Sequence, residues 1–395
     1  MTRIGIIGGG LMGKEVASAL ARWCALEDHT DQPVLTAIAD VSDKARDWFD
    51  RIPSVTLKTA DYHQLLASKE VDVVYVAVPH DLHEQIYLDV LRAGKDLFAE
   101  KPFGMDLKQA MNIALHARTS GRFVRCSSEF PFYPGAQRVV QAVKSGSLGR
   151  IIEVKAGFWH SSDLDPNKPP NWKRQKSRCG EAGVMNDLGL HAWHIPFRLG
   201  WKPIRVHAQL SNIFTERHSG GGAMVISDHS PTGYMFVAYP DSFKGTTPCD
   251  TDDNAVWNVD AQIGRFEAPM RIETKRIAPG ETNTWFIEVY GTEGSIKYST
   301  KEPKTLWTFK RDKEQMWQRI DLGHQTQFPV VTGPIFEFGF PDAFLQMWAA
   351  YLAERNGTLG DRFGCATIDE CLLAHRMNEA ALESSAAKTV VNVDL

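Results

Sequence analysis

Runs of consecutive apolar positions recur through the first third of the chain: RIGIIG from residue 3, VLTAIAD from 34, VTLK from 55, VDVVYVAV from 71, DLFAE from 96 and RFVRC from 122. Helical segments separate them. Strands that are apolar on both faces and alternate with helices predict a parallel sheet covered on both sides. Six such strands fit a doubly wound domain over residues 1–127. A helix ending near SGSLG (145–149) closes this region, and the rhythm then changes. RIIEVKAGFW (150–159), RVHAQLSNI, GYMFVAY, AVWNVDAQI, MRIETKRI, WFIEVYG, GSIKYS and TLWTFKR follow one another through Gly, Pro and Asp turns. That pattern predicts a large, open, mostly antiparallel sheet in a second α/β domain, 128–395. Helices over 342–356 and 368–387 and a last strand KTVVNV end the chain.

Composition narrows the class without changing this picture. Of 395 residues 43% are hydrophobic and 23% charged, and the formal net charge is -4. The densest basic patch, KRQKSR from Lys173, is short and isolated, which argues against a nucleic-acid partner. No apolar run reaches the roughly 18 to 20 residues of a membrane helix. The six cysteines are scattered, without zinc-type spacing, and read as reduced thiols. The first strand starts almost at residue 1, leaving no room for a signal core, so the expected location is cytoplasmic.

GIIGGGLMG carries Gly8, Gly10 and Gly13 in G-x-G-x-x-G spacing, after a strand and before a helix. Gly8 permits the tight turn, Gly10 leaves room for a pyrophosphate, and Gly13 lets the helix approach the sheet. With Leu11 and Met12 these residues form the expected dinucleotide cradle at a helix N-terminus. Asp40 ends the second strand, where a carboxylate accepts from the adenosine ribose hydroxyls and repels a 2′-phosphate. NAD is therefore favoured over NADP. A bland reading of Asp40 is a helix N-cap, a role Ser42 can fill instead. Arg46 keeps NADP open, since a nearby arginine can receive a 2′-phosphate.

DLFAEKPFG places Glu100, Lys101 and Pro102 at the carboxyl end of the fifth strand, and EAGVMNDLGLHAWH (181–194) spaces Asp187, His191 and His194 along one helical face. GGGLMG, EKP and GVMNDLGLHAWH in this order, with SGSLGRI and VYGTEGSI, resemble the Gfo/Idh/MocA family of sugar and polyol dehydrogenases. The resemblance implies a Rossmann domain followed by a domain with an open sheet that often packs against its partner, giving a homodimer or homotetramer. It also implies that Lys101 and His191 carry proton transfer and substrate hydroxyl binding, with Asp187 as a polar partner. Pro79 and His83 fall where the family borders its cofactor, beside Glu100 and Lys101, and Pro102 where a cis peptide is common.

Alcohol oxidation needs a base at the hydroxyl while hydride leaves for the nicotinamide. A histidine suits that role, and a lysine beside it polarises the hydroxyl; the reverse assignment stays open because coupled groups share their titration. Two departures stand out. His194 replaces an aspartate usual in the family, and EFPFYP has Glu129 and Pro131 where Asn and Arg are common. In the Pro-rich loop before the helix, Trp172 is a stacking face for a sugar ring or a packing residue, whereas Trp159 and Trp193 read as packing. Lys173 and Arg174 read as solvated. A metal centre from His80, His83, His191 and His194 would require a convergence that nothing in the sequence indicates, so no metal is expected. Two other functions stay in view: an NAD-dependent glycosidase that oxidises its sugar transiently, and a non-catalytic sensor of sugar or nucleotide.

Overall fold

The computed structural model describes residues 1–29, 31–226, 234–323 and 325–394, so the Gly233 that opens one expected strand lies outside them. The chain forms two compact units, 1–137 with 322–372 and 138–321 with 373–395.

The first unit is built on strands β1 (Arg3–Ile7), β2 (Val34–Ala39), β3 (Leu57–Thr59), β4 (Val73–Val76), β5 (Asp96–Ala99) and β6 (Val124–Cys126). They run in the order β3-β2-β1-β4-β5-β6 with every pairing parallel. All four residues of β4 are buried, as expected of a central strand covered on both faces. Part of that cover comes from far along the chain. The helix Phe340–Arg355 stacks Tyr351 on Phe98 of β5 at 4.3 Å and sets Trp348 edge-on to the same ring at 4.9 Å. Strand order reverses between β1 and β4, and the loops at their carboxyl ends form the crevice where such sheets bind ligands.

In the second unit β7 (Ile151–Trp159) and β8 (Lys202–Ser211) flank the helix Gly183–Arg198 in sequence. Two small ribbons follow, β9 (Glu216–His218) paired with β12 (Thr246–Pro248), and β10 (Gly222–Ile226) with β11 (Tyr234–Ala238). The remaining strands are β13 (Asn254–Ile263), β14 (Phe266–Lys275), β15 (Thr284–Gly291), β16 (Gly294–Ser299), β17 (Thr305–Lys310), β18 (Trp317–Asp321) and β19 (Val391–Asn392). Nine of these form one sheet in the order β18-β17-β16-β15-β7-β14-β13-β8-β19, antiparallel except where β7 meets β14. In β13 every second residue, from Ala255 through Trp257 to Ile263, is buried. That alternation marks a sheet with one covered face. The cover is the helix Gly183–Arg198. Its His191 carbonyl accepts from the Trp285 indole at 2.7 Å, and Trp285 pairs across strands with Phe158 of β7.

All six cysteines are free thiols, five of them buried. Among the described residues no helix is long and apolar enough to cross a membrane.

Candidate active site

The turn after β1 meets the steric demands of a dinucleotide cradle. Gly8 has φ +103, and a Cβ there would lie 2.2 Å from the Ala77 carbonyl oxygen. Only glycine fits such a position. A Cβ at Gly13 would lie 2.2 Å from the Gly8 oxygen, so the helix Leu11–Ala21 starts as close to the turn as backbone allows. Gly10 is different in kind: nothing lies within 4 Å of its would-be Cβ, which leaves open space above the backbone. As N-cap it gives the helix no side-chain cap, so the first-turn N–H groups of Leu11, Met12 and Gly13 face the position an anion would take. Asp40 completes the cradle by accepting from Gly9 N–H and Ser42 N–H, both at 2.7 Å. Ser42 caps the following helix, taking the N–H of Ala45. Arg46 is folded back, donating to the Asp40 carbonyl and the Asp43 carboxylate. These features fit a dinucleotide with its pyrophosphate on the helix N-terminus and its ribose at Asp40.

At the carboxyl end of β5 the side chains are tied into one cluster. The Glu100 carboxylate accepts from the Tyr75 hydroxyl and, at 3.1 Å, from the Lys101 N–H, while the Tyr87 hydroxyl donates to the Glu100 carbonyl at 2.6 Å. The Lys101–Pro102 peptide is cis, and Lys101 itself is half-buried. His83, fully buried, bridges this loop to the one after β4: Nδ1 lies 2.8 Å from the Pro102 oxygen and Nε2 2.9 Å from the Val78 oxygen. Burial pushes its pKa down, against the two carbonyls. A neutral ring has one N–H for those two acceptors, so His83 serves as a clamp on the Lys101 loop. Pro79 and His80 sit on the same turn, the His80 ring 5.3 Å from that of His83. Glu129 is buried near Glu100 and Lys101, and burial, reinforced by Glu100, pushes it up to about 7.

In the second unit Asp187, His191 and His194 all lie on the helix Gly183–Arg198 and all are buried. The Asp187 carboxylate is held by two cations, Lys173 Nζ at 2.8 Å and an Arg276 nitrogen at 3.5 Å. Lys173 is placed there by its own backbone. Its carbonyl accepts from Arg276 at 2.9 Å, from the Thr251 hydroxyl at 3.0 Å and from the Cys179 thiol at 3.3 Å. The His191 ring stands perpendicular to Phe158 with centroids 5.3 Å apart. His194 Nε2 faces Arg198 at 3.3 Å, one turn on along the helix. His160, at the end of β7, is pushed down to about 4 by burial, opposed by Asp187 and Asp163, and so stays neutral beside this cluster.

The reading of Lys173 and Arg174 as solvated is overturned. Lys173 pairs with Asp187, and Arg174 is 1% exposed between Asp163 and Asp253. A short KRQKSR run shows only charge; the carboxylates that bury it come from residues up to 79 positions away. Within MRIETKRI nothing in the sequence marks Arg276 as a partner of Asp187. Trp193 packs in the core, stacked on Phe197 at 5.0 Å, and Trp172 is half-buried beside Lys173. Gly189 on the same helix is not a close-packing position: a Cβ there would meet the Asn378 oxygen at 3.7 Å and Trp257 at 4.0 Å, ordinary contact distances. Among the described residues no group of three or more His, Cys, Asp or Glu is arranged to hold a metal.

Residues 2–128 match the model of an oxidoreductase family with an NAD-binding Rossmann fold, and residues 136–297 match the GFO/IDH/MocA C-terminal domain. The levoglucosan dehydrogenase of Pseudarthrobacter phenanthrenivorans is 27% identical over 345 residues, covering 85% of this chain and 81% of that one. The trans-1,2-dihydrobenzene-1,2-diol dehydrogenase of Mus musculus is 23% identical over 256 residues, 64% of this chain and 69% of that one. Among solved structures, a levoglucosan dehydrogenase in complex with NADH superposes with TM-score 0.84 at 22% identity, covering 100% of this chain and 99% of the other. An inositol dehydrogenase homolog complexed with NAD+ from Azotobacter vinelandii gives 0.75 at 18%, covering 99% and 97%. These superpositions show the fold.

Proposed function

The chain belongs to the GFO/IDH/MocA oxidoreductase family, and from that premise we propose that it is an NAD-dependent dehydrogenase oxidising a secondary hydroxyl of a cyclic sugar, sugar derivative or polyol. NAD bound in the cradle supplies the hydride acceptor. His191 takes the hydroxyl proton and Lys101 orients and polarises that hydroxyl. Asp187 is the acceptor that fixes a neighbouring hydroxyl, and Trp172 offers a ring face to the sugar. His194 tunes the pocket at the position where the family resemblance implies an aspartate. Pro79, His83 and Glu100 border the cofactor and hold the Lys101 loop in place.

The observation that carries this reading is the helix Gly183–Arg198, which sets Asp187 one turn from His191 with two cations against its oxygens. Charge-assisted contacts of that kind orient the carboxylate as a hydrogen-bond acceptor one turn from His191, the base in this reading. The likeness to levoglucosan dehydrogenase over most of both chains supports a carbohydrate as substrate. Exposed Trp307 and Trp317, on one face of β17 and β18, support assembly into a homodimer or homotetramer through the large sheet. Six free thiols fit the reducing cytoplasm.

A panel of sugars, inositols and glycosides, offered with NAD and with NADP and read at the nicotinamide absorbance, tests the proposal. Net NADH formation with a free sugar or polyol is expected. Aglycone release from a glycoside without net NADH would replace the dehydrogenase with the glycosidase reading.

A further inference from the structure

Arg46 is the residue on the ribose side of the cradle that could turn an NAD site into an NADP site, and the structure shows it already engaged. Its guanidinium donates to the Asp40 carbonyl with one nitrogen and to the Asp43 carboxylate with the other. The Arg46 side chain is largely covered, at 17% exposure, whereas that of Asp43 is 85% exposed. Arg51, the next arginine along, is occupied elsewhere: it donates to the Trp48 carbonyl at 2.8 Å and lies 4.7 Å over the Trp48 ring. The Asp40 carboxylate, meanwhile, is fixed between Gly9 N–H and Ser42 N–H and keeps lone pairs for the ribose hydroxyls.

We propose that Asp43 is a specificity-determining residue that acts through Arg46, holding its guanidinium against the Asp40 backbone and away from a 2′-phosphate. The proposal rests on the reading that the adenosine ribose sits at Asp40. A 2′-phosphate there meets the Asp40 carboxylate directly, while the Arg46 guanidinium that could offset it is turned inward. Asp40 rejects the phosphate by charge at close range. Asp43 adds a second barrier by holding one arm of the guanidinium fork while the Asp40 carbonyl takes the other, so that neither is offered to a phosphate. An ion pair with one exposed partner is weak, so Asp43 contributes a modest factor, about threefold to fivefold.

Isothermal titration of the full-length protein with 5′-ADP and with 2′,5′-ADP tests this. The proteins are wild type, Asp43→Asn, Arg46→Gln and the double variant. Asp43→Asn is expected to tighten 2′,5′-ADP by about threefold to fivefold while 5′-ADP stays within about twofold, and the gain is expected to vanish in the double variant. An Asp43→Asn gain that survives Arg46→Gln would show simple charge repulsion and overturn the latch, as would no gain at all. A structural role for Asp43 would shift both nucleotides together and leave their ratio unchanged, which also overturns it. If 5′-ADP binds to none of the four proteins, the reading of Asp40 as the ribose acceptor fails, and the latch falls with it; binding of 5′-ADP without the ratio change rejects the latch alone.

Discussion

Replacing Glu129 by Gln isolates the effect of a buried carboxyl beside Lys101. Burial, with Glu100 next to it, raises Glu129 from its ordinary 4.5 to about 7, and Lys101 offsets this only in part. Tyr75 and Tyr133 face the same carboxyl, and both are themselves pushed up, first by burial. The folded protein therefore holds this proton more tightly than the unfolded chain does. The stability it contributes is fully present below about pH 4.5 and is lost as pH rises through about 7. At about 1.4 kcal/mol per tenfold, that contribution is worth roughly 2.5 kcal/mol at pH 5 and close to nothing at pH 8. Glutamine keeps the shape and cannot ionise. Urea unfolding of wild type and Glu129→Gln at pH 5, 6, 7 and 8, followed by near-ultraviolet circular dichroism, should show the variant gaining on wild type by about 2.5 kcal/mol across that range. The same variant should lose a limb near pH 7 from the turnover profile, because the charge beside Lys101 no longer changes there. A stability difference that stays flat with pH, within about 0.5 kcal/mol, would refute the burial argument.

The other perturbations probe the cradle and the Asp187 contacts. Gly8→Ala forces a Cβ onto the Ala77 oxygen at a positive φ and should abolish NADH fluorescence enhancement along with much of the stability of the first unit. Gly10→Ala has open space in the folded protein, so its urea midpoint should match wild type while NADH affinity falls about tenfold or more, since the added methyl occupies the approach of the pyrophosphate. Arg276→Met strips a buried guanidinium from Asp187 and from the Lys173 and Gly183 carbonyls, and should cost about 3 kcal/mol or more in urea unfolding. Lys173→Met leaves Arg276 in place and removes a partner that is one-third exposed, so the expected loss is about 1 kcal/mol, with kcat/KM down about tenfold in steady-state assays.

How much of this was legible in the sequence depended on the range of the interaction involved. The six parallel strands could be read because each is apolar on both faces over a few residues, and the glycine spacing because Gly8 and Gly13 answer local clashes with Ala77 and Gly8 oxygens. Asp187 and His191 were visible as a helical spacing. What surrounds Asp187 was not, because Arg276 lies 89 positions downstream on the far side of β13 and β14, and a lone arginine at a strand end carries no periodic mark. The partner of Lys173 is hidden for the same reason: a basic run looks solvated until the carboxylates that receive it are known. The helix Phe340–Arg355 was recognised as a helix, yet its docking of Trp348 and Tyr351 on Phe98 is a return across more than 200 residues that no local pattern records. Trp317–Asp321 escaped notice because all five of its residues are exposed, so the hydrophobic alternation that reveals a half-buried strand is lacking.

The central claim is that Lys101 and His191 handle the hydroxyl proton while NAD takes the hydride. The most direct measurement is single-turnover NADH formation on the best sugar or polyol for wild type, Lys101→Ala and His191→Ala, with NADH affinity determined alongside for each. The account predicts a fall of about 10² to 10⁴ in rate for either variant with the NADH affinity of His191→Ala unchanged. Full turnover in both variants would contradict it.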